Sequence, residues 1–306
     1  MSQSSAVLKN ATQAIRKGSK SFSAASRLLQ RDTRQSVVKL YAWCRHCDDV
    51  IDGQVFGHSG AGAGSLEELA ELDWQTRRAF GAEPLKHPAF AGLQEVVRQH
   101  GIPQRYPLDL IDGLRMDVEG REYPDIEDLL TYCYHVAGAV GVMMAHVLGV
   151  RDRPTLDRAC DLGMAFQLTN IARDVIDDAA MGRVYLPRLW LSEAGIAPAE
   201  IGLACHRPAL AGIVARMLAV AEPYYASAGI GIAHLPKRSA WAIGAAHAVY
   251  REIGMEVLRR GPQAWDRRVS TSKSRKLALV LRGGVTAINR TAGPVASRDG
   301  LWTHAL

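Results

Sequence analysis

An all-α fold in a single domain is what the sequence predicts, and three observations predict it. Apolar residues recur at helical spacing along most of the chain, period-two alternation is nearly absent, and no Pro/Gly/Ser-rich linker divides the 306 residues. In chain order the periodicity places helices at 6–17, 21–29, 33–51 and 65–80, with the glycine-rich run 53–64 (GQVFGHSGAGAG) as a loop. Helices at 88–100 and 107–119 each open on a proline, which suits a first helical turn. Further helices are expected at 126–148, 154–178, 198–205, 209–228, 239–260 and 272–281. Residues 1–282 therefore read as one helical domain, and 283–306, without periodicity, as a loose tail.

Composition narrows the function classes. A hydrophobic fraction of 48% against 22% charged residues is that of an ordinary globule with a large core. The net charge of +6 suits an anionic substrate or an anionic membrane surface. Nucleic acid is not an expected partner, because no basic run interleaves with aromatics. Five scattered cysteines argue against a disulfide framework and for a reducing compartment. The first twenty residues lack an apolar core segment, so a cytoplasmic protein is expected. Residues 132–150 are the candidate membrane span, but their two histidines and several glycines favour a buried core helix.

The chemistry is concentrated in two acidic stripes. Wound at 100° per residue, the helix at 33–51 gathers Val37, Leu40, Tyr41, Cys44 and Ile51 on its buried side. Asp48 falls within that stripe, flanked by Arg45 and Asp52. A buried carboxylate needs a partner or a metal. The helix at 154–178 repeats the pattern: Leu156, Cys160 and Gly163 set an inward stripe that continues as Gln167, Asn170, Asp174 and Asp178. Helix-end salt bridges with Arg45 and Arg173 would explain one such pair, but two pairs on two buried stripes favour a polar cavity. Hard oxygen ligands of this kind suit Mg²⁺ (or Mn²⁺), which completes its shell with water and phosphate.

Cations accompany the acids. Gly18-Ser19-Lys20-Ser21-Phe22 precedes a short helix and offers hydroxyls, a lysine and backbone N–H groups to an anion, although simple N-capping explains it equally well. Arg45, Arg173 and Arg183 lie beside the acidic motifs. Cys44-x-x-Cys47 occurs once, mid-helix, and reads as packing rather than a zinc or redox site. His135 and His146 read as core histidines. Phosphate-loop, dinucleotide and serine-hydrolase signatures are absent.

These residues resemble the squalene/phytoene synthase family. Tyr41–Gly53 (YAWCRHCDDVIDG) is similar to its first aspartate-rich motif, and Leu162–Pro187 to its second, including the trailing Arg183-x-Tyr185-x-Pro187. Tyr132–Gly141 and Gly18–Phe22 resemble two further signatures. The resemblance spans roughly residues 18–268, and the stretch Trp43–Asp52 is most similar to bacterial members from carotenoid gene clusters.

The resemblance implies the isoprenoid-synthase helical fold around one cavity. It implies head-to-head joining of two geranylgeranyl diphosphates through a cyclopropylcarbinyl diphosphate to phytoene. Metal would be held by Asp48, Asp52, Asn170, Asp174 and Asp178. Diphosphate would be met, or the site shaped, by Ser19, Lys20, Ser21, Phe22, Tyr41, Arg45, Gln167, Arg173, Arg183, Tyr250 and Arg267. The alternatives are a squalene or dehydrosqualene synthase using farnesyl diphosphate, or a family-related assembly factor without chemistry. Peripheral membrane attachment and association with other carotenoid enzymes are expected of a protein handling such lipids. Ser26 and Val38 are expected to line the cavity's deep end, where small residues leave room for the last isoprene unit.

Overall fold

Local chemistry sets where the helices start. Ser65 accepts from the Glu68 backbone N–H while the Glu68 carboxylate accepts from that of Ser65, a reciprocal cap that satisfies two otherwise orphaned donors. Asp125 accepts from the N–H groups of Glu127 and Asp128, and Asp152 from that of Thr155, opening the helices that begin at Ile126 and Arg153. The computed structural model describes residues 3–18, 23, 25–53, 64–288 and 297–304, and no strand occurs among them.

The helices are α1 (Gln3–Gly18), α2 (Arg31–Ile51), α3 (Leu66–Arg78), α4 (Pro88–His100), α5 (Arg105–Val118) and α6 (Ile126–Cys133). A π turn, Tyr134–Gly138, joins α6 to α7 (Ala139–Val147). Then come α8 (Arg153–Ala180), α9 (Arg188–Glu193), α10 (Arg207–Ala233), α11 (Lys237–Arg260) and α12 (Lys273–Ile288). One large hydrophobic cluster draws on residues from Val7 to Val269. At 28 residues, α8 is about 42 Å long, and it packs against α7, α10 and α11. On the other side α2 packs against α1, α4, α5 and α7. The cavity lies between these two groups of helices.

Glycines let the central helices touch. A Cβ on Gly163 of α8 would collide with the Ala137 carbonyl oxygen in the π turn, and one on Gly141 of α7 with that of Ala159. Ile126–Val147 is long and apolar enough to cross a membrane, but 61% of its apolar window is buried inside the protein.

The structure differs from the sequence expectation at several points. The helix expected at 126–148 is interrupted by the π turn, an insertion that periodicity averages over. Residues 198–205 form two 3₁₀ turns, Pro198–Glu200 and Ala204–His206, because a short segment containing Gly202 nucleates an α-helix poorly. The short helix α9 was not expected; Arg188 and Leu189 donate to the carbonyls of Tyr123 and Pro124 to fix its start. The expected loose tail is tied down in its described parts. α12 runs on to Ile288. Arg298 clamps the fully buried Asp161 through Nε (2.8 Å) and Nη2 (2.6 Å), and Trp302 and His304 pack on the Tyr134 ring.

Arg298→Ala should therefore destabilise the protein by about 3–5 kcal/mol, the usual cost of removing one partner of a buried ion pair. A thermal melt should fall by several degrees, and adding Asp161→Asn should recover part of the loss. An unchanged melting temperature in Arg298→Ala would show that the clamp contributes nothing.

Candidate active site

A cavity of about 680 Å³ opens between α2, α7, α8 and α11. Its body is apolar: Val136, Val140 and Met144 face Leu162, Phe166 and Ile243. Phe166 and Tyr250 stack with ring centroids 4.1 Å apart, giving an aromatic wall able to face a cation. Its polar end is made by Tyr41, Arg45 and Asp48 of α2 and by Gln167, Asn170 and Arg173 of α8. Gly18 reaches this end as well, and a Cβ there would stand 2.6 Å from the Tyr41 hydroxyl. The expected anion loop Ser19, Lys20, Ser21 and Phe22 begins at that point but lies outside the described residues.

The two acidic motifs converge electrostatically. Burial pushes the Asp48 carboxyl up to about 7, with Asp52, Asp49 and Asp117 adding to the rise and Arg45 opposing it. Burial likewise lifts Asp178 to about 8, reinforced by Asp174, Asp177 and Asp117 and opposed by Arg183. The other two acids are held by guanidinium groups. Arg183 Nη1 donates to Asp52 at 2.6 Å. Burial pushes Asp174 up, but Arg173 and Arg268 together hold it below its usual range. Arg173 donates to it at 2.9 and 2.5 Å, and Arg268 at 3.1 and 2.9 Å. Arg45 donates to Asp49 at 2.8 Å rather than to Asp48.

Asp117 on α5 joins the acids at this end, and the sequence reading missed it. Tyr132 and Tyr185 donate to its two oxygens at 3.0 and 2.9 Å, and their rings stack at 5.0 Å. Burial raises it to about 6, against the pull of Arg183 and the two hydroxyls. Its position three residues beyond Leu114 and seven beyond Leu110, both buried, was the available signal.

Of the expected residues, Tyr41, Arg45, Asp48, Gln167, Asn170, Arg173 and Tyr250 line the cavity. Asp174 is joined to that end by its contacts with Arg173 and Arg268, whereas the Arg183–Asp52 pair and Asp178 reach it through electrostatic coupling to Asp48 and Asp174. Arg267 is exposed and does not line the cavity; its neighbour Arg268 does both jobs, touching Asp174 and the cavity wall. The deep end also differs from expectation. Ser26 borders a small apolar recess that shares Met144, Leu148, Ile243 and Ala246 with the main cavity. Val38 is buried instead among Ala11, Ala14, Ile15 and Ala42, and Val37 lines the recess. Val37 lies roughly 20° around the helix from Asp48 and Val38 roughly 80°, so Val37 shares the carboxylate's face.

A second acidic group is separate from this one. Asp109, Asp112 and His135 bring ligand atoms within 4.8 Å of one another. Asp109 already accepts from Tyr134 at 2.6 Å, and none of the three lines the cavity.

Comparison with known proteins agrees with this geometry. The family model described as squalene/phytoene synthase matches residues 15–275. A phytoene synthase of Pseudescherichia vulneris is 51% identical over 300 residues, covering 97% of each chain. A 15-cis-phytoene synthase of Paracoccus sp. (strain N81106 / MBIC 01143) is 50% identical over 295 residues, covering 96% of each. A crystal structure of a dehydrosqualene synthase with ligand superposes with a TM-score of 0.84 at 27% identity, covering 94% of this chain and 98% of that one. With two acidic helices meeting over an apolar cavity, and with matches that run nearly end to end, this chain belongs to the squalene/phytoene synthase family.

Proposed function

We propose that this chain is a phytoene synthase, joining two geranylgeranyl diphosphates head to head with loss of both diphosphates and two protons, one as the cyclopropane closes and one at the final elimination. The observation that carries the reading is the junction of a carboxylate-lined end and an apolar, aromatic-walled body in one cavity. Half identity to two proteins named phytoene synthases, over nearly their whole lengths, supports the choice of substrate.

The donor set fits a divalent cation. Asp48 and Asp178 are half-buried hard-oxygen ligands raised by burial and by neighbouring acids, and no ion pair is formed by either among the described residues. Asp48, Asp52, Asn170, Asp174 and Asp178 are the residues that would hold it, and Mg²⁺ (or Mn²⁺) there would neutralise charge on the departing diphosphate. Arg45, Arg173 and Arg268 supply fixed positive charge at the same end, where an allylic C–O bond breaks as its diphosphate is stabilised. Phe166 and Tyr250 present ring faces to the resulting carbocation. Val136, Val140 and Leu162 keep water from quenching it. We place the protein peripherally at a cell membrane's inner face, because its substrate carries lipid tails and its product is an insoluble hydrocarbon.

Purified protein incubated with C20 diphosphate and Mg²⁺ should yield a C40 hydrocarbon without added reductant; product formed only from C15 diphosphate would assign the squalene-type reaction instead. Asp48→Asn and Asp174→Asn should each keep the native circular dichroism and lower turnover by roughly a hundredfold or more. A near-normal rate in either would remove that carboxylate from the ionisation step. Ser26→Phe should fill the small recess, depressing C20 condensation while sparing C15, because overpacking penalises the longer guest. Equal loss on both substrates would mean general destabilisation.

A further inference from the structure

The end of the cavity away from the carboxylates holds a charged side chain that the reaction does not use. Going back along α8, the residues lining the cavity run Phe166, Leu162, Ala159 and then Arg158, and Arg158 is only 5% exposed. It lies twelve residues before Asn170 of the polar end, about 18 Å along the helix at 1.5 Å per residue. An extended four-isoprene tail whose diphosphate sits at the polar end reaches about that far. The stem of Arg158 lies against Gly231 of α10, where a Cβ would stand 2.7 Å from the Arg158 Cβ. Ile232 and Leu235 complete this α8–α10 side of the deep end, whereas the recess bordered by Ser26 lies on the α2–α11 side.

A buried guanidinium among apolar neighbours needs partners, and the partners of Arg158 tie it in place. Its Nη1 donates to the Ser227 hydroxyl at 3.0 Å and to the Ser227 carbonyl at 3.4 Å. Ser227 Oγ donates in turn to Asp161 at 2.5 Å, and Arg298 holds the same carboxylate at 2.8 and 2.6 Å. An unbroken polar chain thus runs from Arg298 through Asp161 and Ser227 to the wall of the cavity. A leucine in this place could change rotamer to admit a longer guest. Moving Arg158 aside would leave buried donors and acceptors unpaired, which is costly, so the network stiffens the wall. We propose that Arg158 is the floor that stops a prenyl tail on the α8–α10 side after its fourth isoprene unit, with Ser227 and Asp161 as the positioning residues that hold it there. This rests on the reading that the cavity takes prenyl diphosphates, and adds what limits the length of the tail.

The full-length wild type, Arg158→Ala, Arg158→Lys and Ser227→Ala would each be given equal C20 and C25 diphosphates with Mg²⁺, and the C40, C45 and C50 hydrocarbons measured. Each would also be titrated with the unreactive C20 and C25 thiodiphosphates, giving a ratio of Kd values. Arg158→Ala leaves Asp161 paired with Arg298, so it should keep the native circular dichroism. It should raise both the share of products carrying a C25 tail and the relative affinity for the C25 analogue by roughly tenfold or more, the discrimination expected of a changed pocket contact. Arg158→Lys, which keeps the long stem and the charge, should retain the wild-type ratios. Ser227→Ala, which removes the bridging hydroxyl, should move them in the same direction as Arg158→Ala. An unchanged C25-to-C20 ratio in Arg158→Ala would overturn the floor, and an equal shift in Arg158→Lys would replace it with general loosening. An unchanged ratio in Ser227→Ala would overturn the positioning role. The affinity ratios are read without turnover, so failure here is distinguishable from failure of the synthase assignment, which absence of C40 product from the wild type would show.

Discussion

Backbone contact between α8 and the segment formed by the π turn and α7 is the constraint on which the rest of the site depends. Side chains at Gly141 or Gly163 would strike the carbonyls of Ala159 or Ala137, and a Cβ at Gly138 would stand 2.9 Å from the Cys160 sulfur. At this separation the inner stripe of α8 runs along the cavity as Leu162, Phe166, Gln167, Asn170 and Arg173 in succession. The π turn brings Val136 and Ala137 to the same cavity. An inserted residue re-aims side chains without ending a helix, and such insertions occur frequently at functional sites.

Electrostatics at the polar end is held in partial balance. Asp52 and Asp174 are held by arginines, whereas Asp48 and Asp178 sit higher than an exposed carboxyl would. The fold tolerates the second pair because each is half-buried rather than sealed, and because Arg45 and Arg183 act on them at a distance. The resulting surplus of negative charge against a dry, aromatic wall is costly for the protein alone and useful only with a cationic complement. Asp117, anchored by two tyrosine hydroxyls, extends that surplus towards α5.

What was legible in the sequence followed from contrast. Asp48 and Asp178 stood out because each interrupts an apolar helical stripe and each has a second acid one turn away. Asp117 lies on an equally buried stripe, but four residues to either side stand Gly113 and Arg121, so no pair drew notice. Arg267 and Arg268 are adjacent outside any periodic segment, and only three-dimensional packing decides which one turns inward. Val37 and Val38 likewise differ by a single step of rotation, and the helix at 33–51 is apolar enough to support either choice. The ordered end of the chain was illegible because its contacts are made one residue at a time, by Arg298, Trp302 and His304, and leave no period to read.

The Arg298 clamp also bears on how the chain is made. Asp161 lies in the first half of the central helix, yet its guanidinium partner follows 137 residues later. Ser227, which donates to the same carboxylate at 2.5 Å, arrives earlier but brings no charge. During synthesis from the N-terminus, α8 emerges with an acid in its interior face long before that acid can be neutralised. Until then it must stay hydrated or protonated. The clamp thus couples the packing of the central helix to a residue 137 positions later in the chain, and a truncation that removes Arg298 would leave a fully buried carboxylate without its charge partner.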